Sequence, residues 1–222
     1  MARIARVVAP GYPHHVVRRG NRRQTTFFSN EDYQTYLNLM AQWCDRCKVN
    51  VWAYCLMPNH VHLIAVPDSE DGLRRAIGES HRRYTRRINF REGWRGHLWQ
   101  GRFGSFPMGE NYLLAAARYV EFNPVRAGLV ERPEVHPWSS AKAHVTGCDD
   151  ILVKVEPLLK IVGDWGKFLG QDTEASVKKD LRFHERTGRP LGDESFLLAL
   201  EEQTGRSVRP HKRGPKVMDG GN

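Results

Sequence analysis

"CLMPNHVHLIAV", residues 55–66, places two histidines inside an apolar run. Pro58 and Asn59 are a turn pair, and the segments on either side, 49–57 and 60–66, are strand-like. The stretch reads as a β-hairpin. Alternate side chains of a strand share a face, so His60 and His62 project together while Val61 and Leu63 turn into a core. Neutral imidazole is the commonest metal ligand, which makes the two histidines a candidate ligand pair. The same pair also fits two partly buried histidines hydrogen-bonded to backbone, and two ligands alone leave a site incomplete.

Working outward, "HHVVRRG" (14–20) reads as a first strand ending at Gly20. Asn30 is a good N-cap for a helix whose stripe is Tyr33, Tyr36, Leu37, Met40, Trp43 and Cys44. Residues 73–89 are helical in pattern and very basic, 101–108 form a short strand, and 109–123 form a third helix stopped by Pro124. The order β-α-β-β-α-β-α predicts an α+β fold: a ferredoxin-like antiparallel sheet with helices on one face. This domain takes residues 1–147. A small helical C-terminal extension follows over 148–205, with Gly stops, and the basic, Pro/Gly-rich tail 206–222 is expected to be disordered.

The chain carries 34 Lys and Arg against 25 Asp and Glu, a formal net charge of +9. That balance favours a polyanionic partner, nucleic acid before a membrane surface. No run approaches the roughly 20 apolar residues of a membrane span, and the N-terminus lacks the apolar core of a secretory signal, so a cytoplasmic protein is expected. The four cysteines include one lone C-x-x-C, Cys44 and Cys47, which reads as reduced thiols on a helix face.

The third helix supplies a partner for the histidines. Tyr119 and Asn123 share one of its faces, while Leu113, Ala116, Ala117 and Val120 form an apolar one. A carboxamide oxygen ligates hard divalent ions, and a phenol one turn earlier stands beside it. Read singly, Tyr119 is better explained as a residue at the core edge and Asn123 as a helix end before Pro124. Arginines crowd 73–91, where Glu79 is the sole acid, so phosphate contact is expected there. Trp94, Trp99 and Phe103 follow as base-stacking or core residues. Arg18, Arg19, Arg22 and Arg23 make a second basic patch.

"MPNHVHLI" together with "RYVEFNPVRAGLV" resembles the REP-associated tyrosine transposases, relatives of the single-tyrosine HUH transposases. The likeness spans most of residues 5–145, with "HHVVRRGNRRQTTFF", "LWQGRFGSFPM" and "PWSS" in the same order. It implies that His60, His62 and Asn123 hold a divalent metal and that Tyr119 is the nucleophile. With no thiolate in that set, Mg2+ or Mn2+ is the expected ion. The implied reaction cuts and rejoins single-stranded DNA through a 5′-phosphotyrosine link, without a nucleotide cofactor. The implied partner is a REP-type hairpin with a single-stranded flank, contacted by Arg18, Arg19, Arg22, Arg23, Arg82, Arg83, Arg86, Arg87, Trp99 and Arg102. A monomer is expected, with a dimer as the alternative. The general base stays open among His14, His15 and His81. Two rivals remain: a non-catalytic nucleic-acid-binding regulator on the same fold, and a metal hydrolase that uses water.

Overall fold

The computed structural model describes residues 6–171 and 175–209. Strands β1 (His14–Arg19), β2 (Val49–Met57), β3 (His60–Pro67) and β4 (Gly104–Pro107) form one antiparallel sheet in the order β2-β3-β1-β4. Helix α1 (Asn30–Arg46) links β1 to β2, and α2 (Gly72–Glu92) links β3 to β4. The β2–β3 hairpin turns at Pro58-Asn59, with Met57 opposite His60. This is the expected ferredoxin-like α+β arrangement.

Helix α3 (Glu110–Glu121) leads into the single turn α4 (Asn123–Arg126), whose first turn accepts Pro124. Further along lie α5 (Ala141–Thr146), α6 (Glu156–Leu159), α7 (Trp165–Leu169), α8 (Ala175–Thr187) and α9 (Glu194–Thr204). Among the described residues no helix is long and apolar enough to cross a membrane.

The expectation of helices on one face is corrected: both faces of the sheet are covered. Val61, Leu63 and Ala65 of β3 join Tyr36, Met40, Ile77 and Tyr84 of α1 and α2 in one core. Ile64 and Phe106 point the other way, into a second core with Leu113, Ala117 and Val120 of α3 and with Trp165, Leu181 and Leu191 beyond it. The physical reason is the apolar stripe of α3, which needs a surface to bury and finds it on the sheet face that α1 and α2 leave bare.

Two local features anchor the frame. The cap of α1 is Ser29, one residue before the expected Asn30; its Oγ accepts from the Asp32 amide at 3.4 Å, and the Asp32 carboxylate reaches back to the Phe28 amide at 2.9 Å. At Gly20 a Cβ would come within 2.3 Å of the Gln24 carbonyl, so the turn after β1 closes only around a glycine. Cys44, Cys47 and Cys55 are buried free thiols and Cys148 is exposed. Of the tail expected to be disordered, residues 210–222 lie outside the described residues.

Candidate active site

Paired residues of neighbouring strands share a face. Arg19 stands opposite His60, Val17 opposite His62 and His15 opposite Ile64, so all six side chains look toward α3. His15 and His62 are therefore diagonal neighbours. Nε2 of His15 lies 3.0 Å from Nδ1 of His62, with the rings stacked at 5.2 Å. The His60 ring is 5.1 Å from that of His62, and the Tyr119 ring is 6.1 Å from both His15 and His62.

Hydrogen bonds set the tautomer of His60. The turn after β1 presents the Arg23 carbonyl to Asn59 Nδ2 at 3.1 Å, which aims Asn59 Oδ1 at His60 Nδ1, 2.6 Å away. An amide oxygen only accepts, so His60 carries its proton on Nδ1 and keeps the Nε2 lone pair. Burial, assisted by the charge of Arg19 and Arg126, lowers His60 to about 4. Burial and Arg126 lower His15 to about 3, and His62 is held well below its ordinary value by burial and its two neighbouring histidines. All three rings are neutral at pH 7, the protonation state that binds metals. This donor set fits a divalent cation.

Tyr119 is fixed from the other side. The Arg126 guanidinium sits 4.1 Å over its ring and donates at 2.8 Å to both the Tyr119 carbonyl and Asn123 Oδ1. Asn123 Nδ2 donates in turn to the carbonyls of Tyr119 at 3.3 Å and Val120 at 3.2 Å. The Asn123 carboxamide thus closes the end of α3 in this conformation, and as a metal ligand its oxygen would use the lone pair that Arg126 leaves open. Below, the fully buried Glu121 accepts from Ser140 Oγ at 2.5 Å, His144 Nδ1 at 2.7 Å and Trp165 Nε1 at 2.7 Å. Helices α5, with its cap Ser140, and α7 are thereby tied to the helix that carries Tyr119, which accounts for the second serine of "PWSS".

Glu185 of α8 is a site residue with no local signature. Its carboxylate bonds the Tyr119 phenol, and its Oε1 lies 3.8 Å from both His15 Nε2 and His62 Nδ1. The ligand atoms of His15, His62 and Glu185 all fall within 4.8 Å of one another. Burial raises Glu185 to about 7 against the pull of Arg19, Arg126 and Arg182. Burial also raises the Tyr119 phenol, with Glu185 adding to the shift and a hydrogen bond from Arg182 opposing it. Of the three candidate bases only His15 stands near Tyr119. His14 bonds the Tyr12 carbonyl and the Ala9 amide, and His81 bonds the Tyr36 hydroxyl at 2.8 Å.

The expected DNA contacts divide. A groove of about 1150 Å³ opens over Tyr119 and is lined by Arg18, Arg19, Arg23 and Arg102. Arg22 shares the left-handed turn with Arg23. Trp99 is corrected as a stacking platform: it is 3% exposed, packed among Phe27, Tyr36, His81 and Tyr84. The arginines of α2, expected to lack local salt-bridge partners, find them both at Glu79 and on α1. Arg82 and Arg83 pair with Glu79, Arg87 with Glu31, and Arg91 with the buried Asp32. Two of those acids come from α1, which the local sequence of α2 does not reveal. Arg86 is exposed on the same helix.

A family model described as "Transposase IS200 like" matches residues 9–123. A Haemophilus influenzae protein assigned as a REP-associated tyrosine transposase is 27% identical over 126 residues, covering 52% of this chain and 69% of that protein. The solved structure of a REP-associated tyrosine transposase bound to a REP hairpin aligns with a TM-score of 0.54 at 19% identity, over 70% of this chain and 93% of that one. The structural likeness is one of fold. Helix α8 lies beyond the segment that the family model matches.

Proposed function

The chain belongs to the IS200-like transposase family, and from that premise we propose that it nicks and rejoins single-stranded DNA beside a REP-type hairpin, with Tyr119 as nucleophile. One observation carries this reading: a buried phenol faces neutral imidazoles at the floor of a groove walled by arginines. That is the inventory needed to bring a phosphodiester to an oxygen nucleophile.

His60, through its Nε2, and His62 would hold Mg2+ or Mn2+. The bound ion supplies Lewis-acid withdrawal of charge from a non-bridging phosphate oxygen. Asn123 would be the third ligand through the lone pair of Oδ1 that Arg126 leaves open. Otherwise Glu185 and His15 stand next to His62. The Tyr119 oxygen forms a bond to phosphorus as the bond to the 3′-oxygen breaks. The phenolic proton passes to the Glu185 carboxylate that already accepts it, and Arg182 and Arg126 offset the charge left on the ring oxygen. A base titrating near pH 7 is well matched to that task. Glu185 then gives that proton to the departing 3′-oxygen; a second 3′-hydroxyl that attacks phosphorus sends its own proton by the same carboxylate to the departing Tyr119 oxygen, so the ester bond is conserved and no nucleotide is consumed.

Arg19, Arg22, Arg23 and Arg102 are assigned to the strand at the site. The α2 arginines, Arg82, Arg83, Arg86 and Arg87, are left with sequence-independent contacts to the hairpin stem. Incubation with a 3′-labelled flanked hairpin and Mn2+, followed by a denaturing gel, tests the reading, because the label stays on the fragment whose 5′ end joins the tyrosine. Wild type forms a covalent protein–DNA band and Tyr119→Phe does not. Cleavage without any such band, retained in Tyr119→Phe, would indicate water as the nucleophile.

A further inference from the structure

The groove over Tyr119 has a second wall that the family segment does not supply. Helix α8 seats Leu181 fully in the core shared with α3, and Leu191, just after it, bridges to Met108 at the β4 edge. The helix is thus anchored on one side. Its other side presents Lys178, Lys179, Arg182 and Arg186 to the groove, with the half-exposed Phe183 among them. Lys178, Arg182 and Arg186 recur every fourth residue, so they form one stripe whose members are about 6 Å apart along the axis. That interval is close to the separation of successive phosphates in an extended strand.

Charge and pairing point the same way. Glu185 is the sole carboxylate lining the groove among the described residues, facing basic residues from both walls. Lys178, Lys179 and Arg186 have no carboxylate within ion-pair distance among the described residues, whereas the equally basic α2 pairs Arg82, Arg83 and Arg87 with acids. Cations with no acid beside them among the described residues, next to a proposed nucleophile, are poised for a polyanion; paired ones on the far face are held by the protein itself.

We infer that α8 is a DNA-binding element of this transposase: its Lys178–Arg182–Arg186 stripe clamps the phosphates of the single strand that runs to Tyr119, and one base stacks on Phe183. The inference rests on the proposed function and extends it to a partner surface beyond residues 9–123.

The test is fluorescence anisotropy across a KCl series with two probes, a blunt hairpin and the same hairpin with a single-stranded flank. Arg182 is left in place because it touches Tyr119. The combined variant Lys178→Ala, Lys179→Ala, Arg186→Ala should bind the flanked hairpin about 30-fold more weakly, with the salt slope reduced by about 2, at roughly 0.7 for each single-strand phosphate no longer neutralised. Its affinity for the blunt hairpin should change less than about twofold. Phe183→Ala should weaken the flanked probe about tenfold and leave the salt slope unchanged, the signature of a missing stack. The charge-conserving variant Lys178→Arg, Lys179→Arg, Arg186→Lys should bind like wild type, which separates removal of charge from failure to fold. An equal loss on both probes, or none on the flanked one, overturns the inference. If that happens while the adduct still forms on Tyr119, the proposed function stands. A wild-type protein that ignores the flank and forms no adduct overturns both.

Discussion

The two faces of one sheet have been put to different uses. Under α1 and α2, β3 contributes Val61, Leu63 and Ala65 to a core crowded with aromatic rings, and even polar groups there bond internally, as the Tyr36 and Tyr84 hydroxyls do. Toward α3 and α8, the same strand contributes His60 and His62 to a cluster that ends in a phenol, a half-buried carboxylate and a basic groove. Each face also has a basic helix over it. On the core side most arginines of α2 are paired with acids; on the other side the cations of α8 line the groove. A cationic helix is therefore not by itself a nucleic-acid surface. For the inferred role of α8, what matters is whether a helix's charges already have partners and which face of the sheet it covers.

Substitutions should separate the two faces cleanly. Tyr119→Phe should reduce covalent adduct formation at least about 10³-fold, because it removes the proposed nucleophile, while its thermal midpoint stays within a few degrees of wild type. Trp99→Ala, on the opposite face, should do the reverse: a loss of about 3–5 kcal/mol of stability from a cavity in the aromatic core, measured by urea unfolding. A variant that is stable yet fails to bind DNA would place Trp99 back at the interface.

Acid should act through buried histidines. His14 shares the strand face of Val16, and both its ring nitrogens are engaged in the neutral form, donating to the Tyr12 carbonyl and accepting from the Ala9 amide. Burial lowers it to about 4 from an ordinary 6.5. The unfolded chain binds this proton more readily, so the contribution is complete above pH 6.5 and is lost as pH falls through about 4, on the order of 3 kcal/mol. The urea midpoint should decline across that window. A flat profile there would mean that His14 titrates normally in the fold.

The smallest effects concern the two basic helices. Removing Arg82, Arg83 and Arg86 together should weaken blunt and flanked hairpins alike, by about threefold, because two of those side chains are shared with an acid. The α8 variant should discriminate between the probes. If the α2 variant discriminated instead, the assignment of the two helices would be reversed.

Much of this is legible in the order of residues. The hairpin at Pro58-Asn59, the alternation that pairs His60 with His62, and the four-residue spacing of Tyr119 and Asn123 are local patterns, and local patterns survive folding. Other features depend on packing between distant segments. Glu185 and the α8 stripe enter the site only because Leu181 and Leu191 dock that region on the α3 face. The acids that pair with the α2 arginines include Glu31 and Asp32 of α1, invisible from the charge run itself. Trp99 stands in sequence beside arginines and glycines, as a surface residue would, yet it closes the aromatic core. Asn123 shows the limit of spacing: its position on the face of Tyr119 is as expected, but its carboxamide is directed at Arg126 and the helix carbonyls.

The most direct measurement is to trap the reaction of wild-type protein with a flanked hairpin and Mn2+, digest the adduct with protease and nuclease, and identify the modified peptide by mass spectrometry. A nucleotide remnant on Tyr119, in the peptide between Arg118 and Arg126, is the expected result. A remnant on any other side chain, or cleaved DNA with no modified peptide, would contradict the assignment of Tyr119 as the nucleophile.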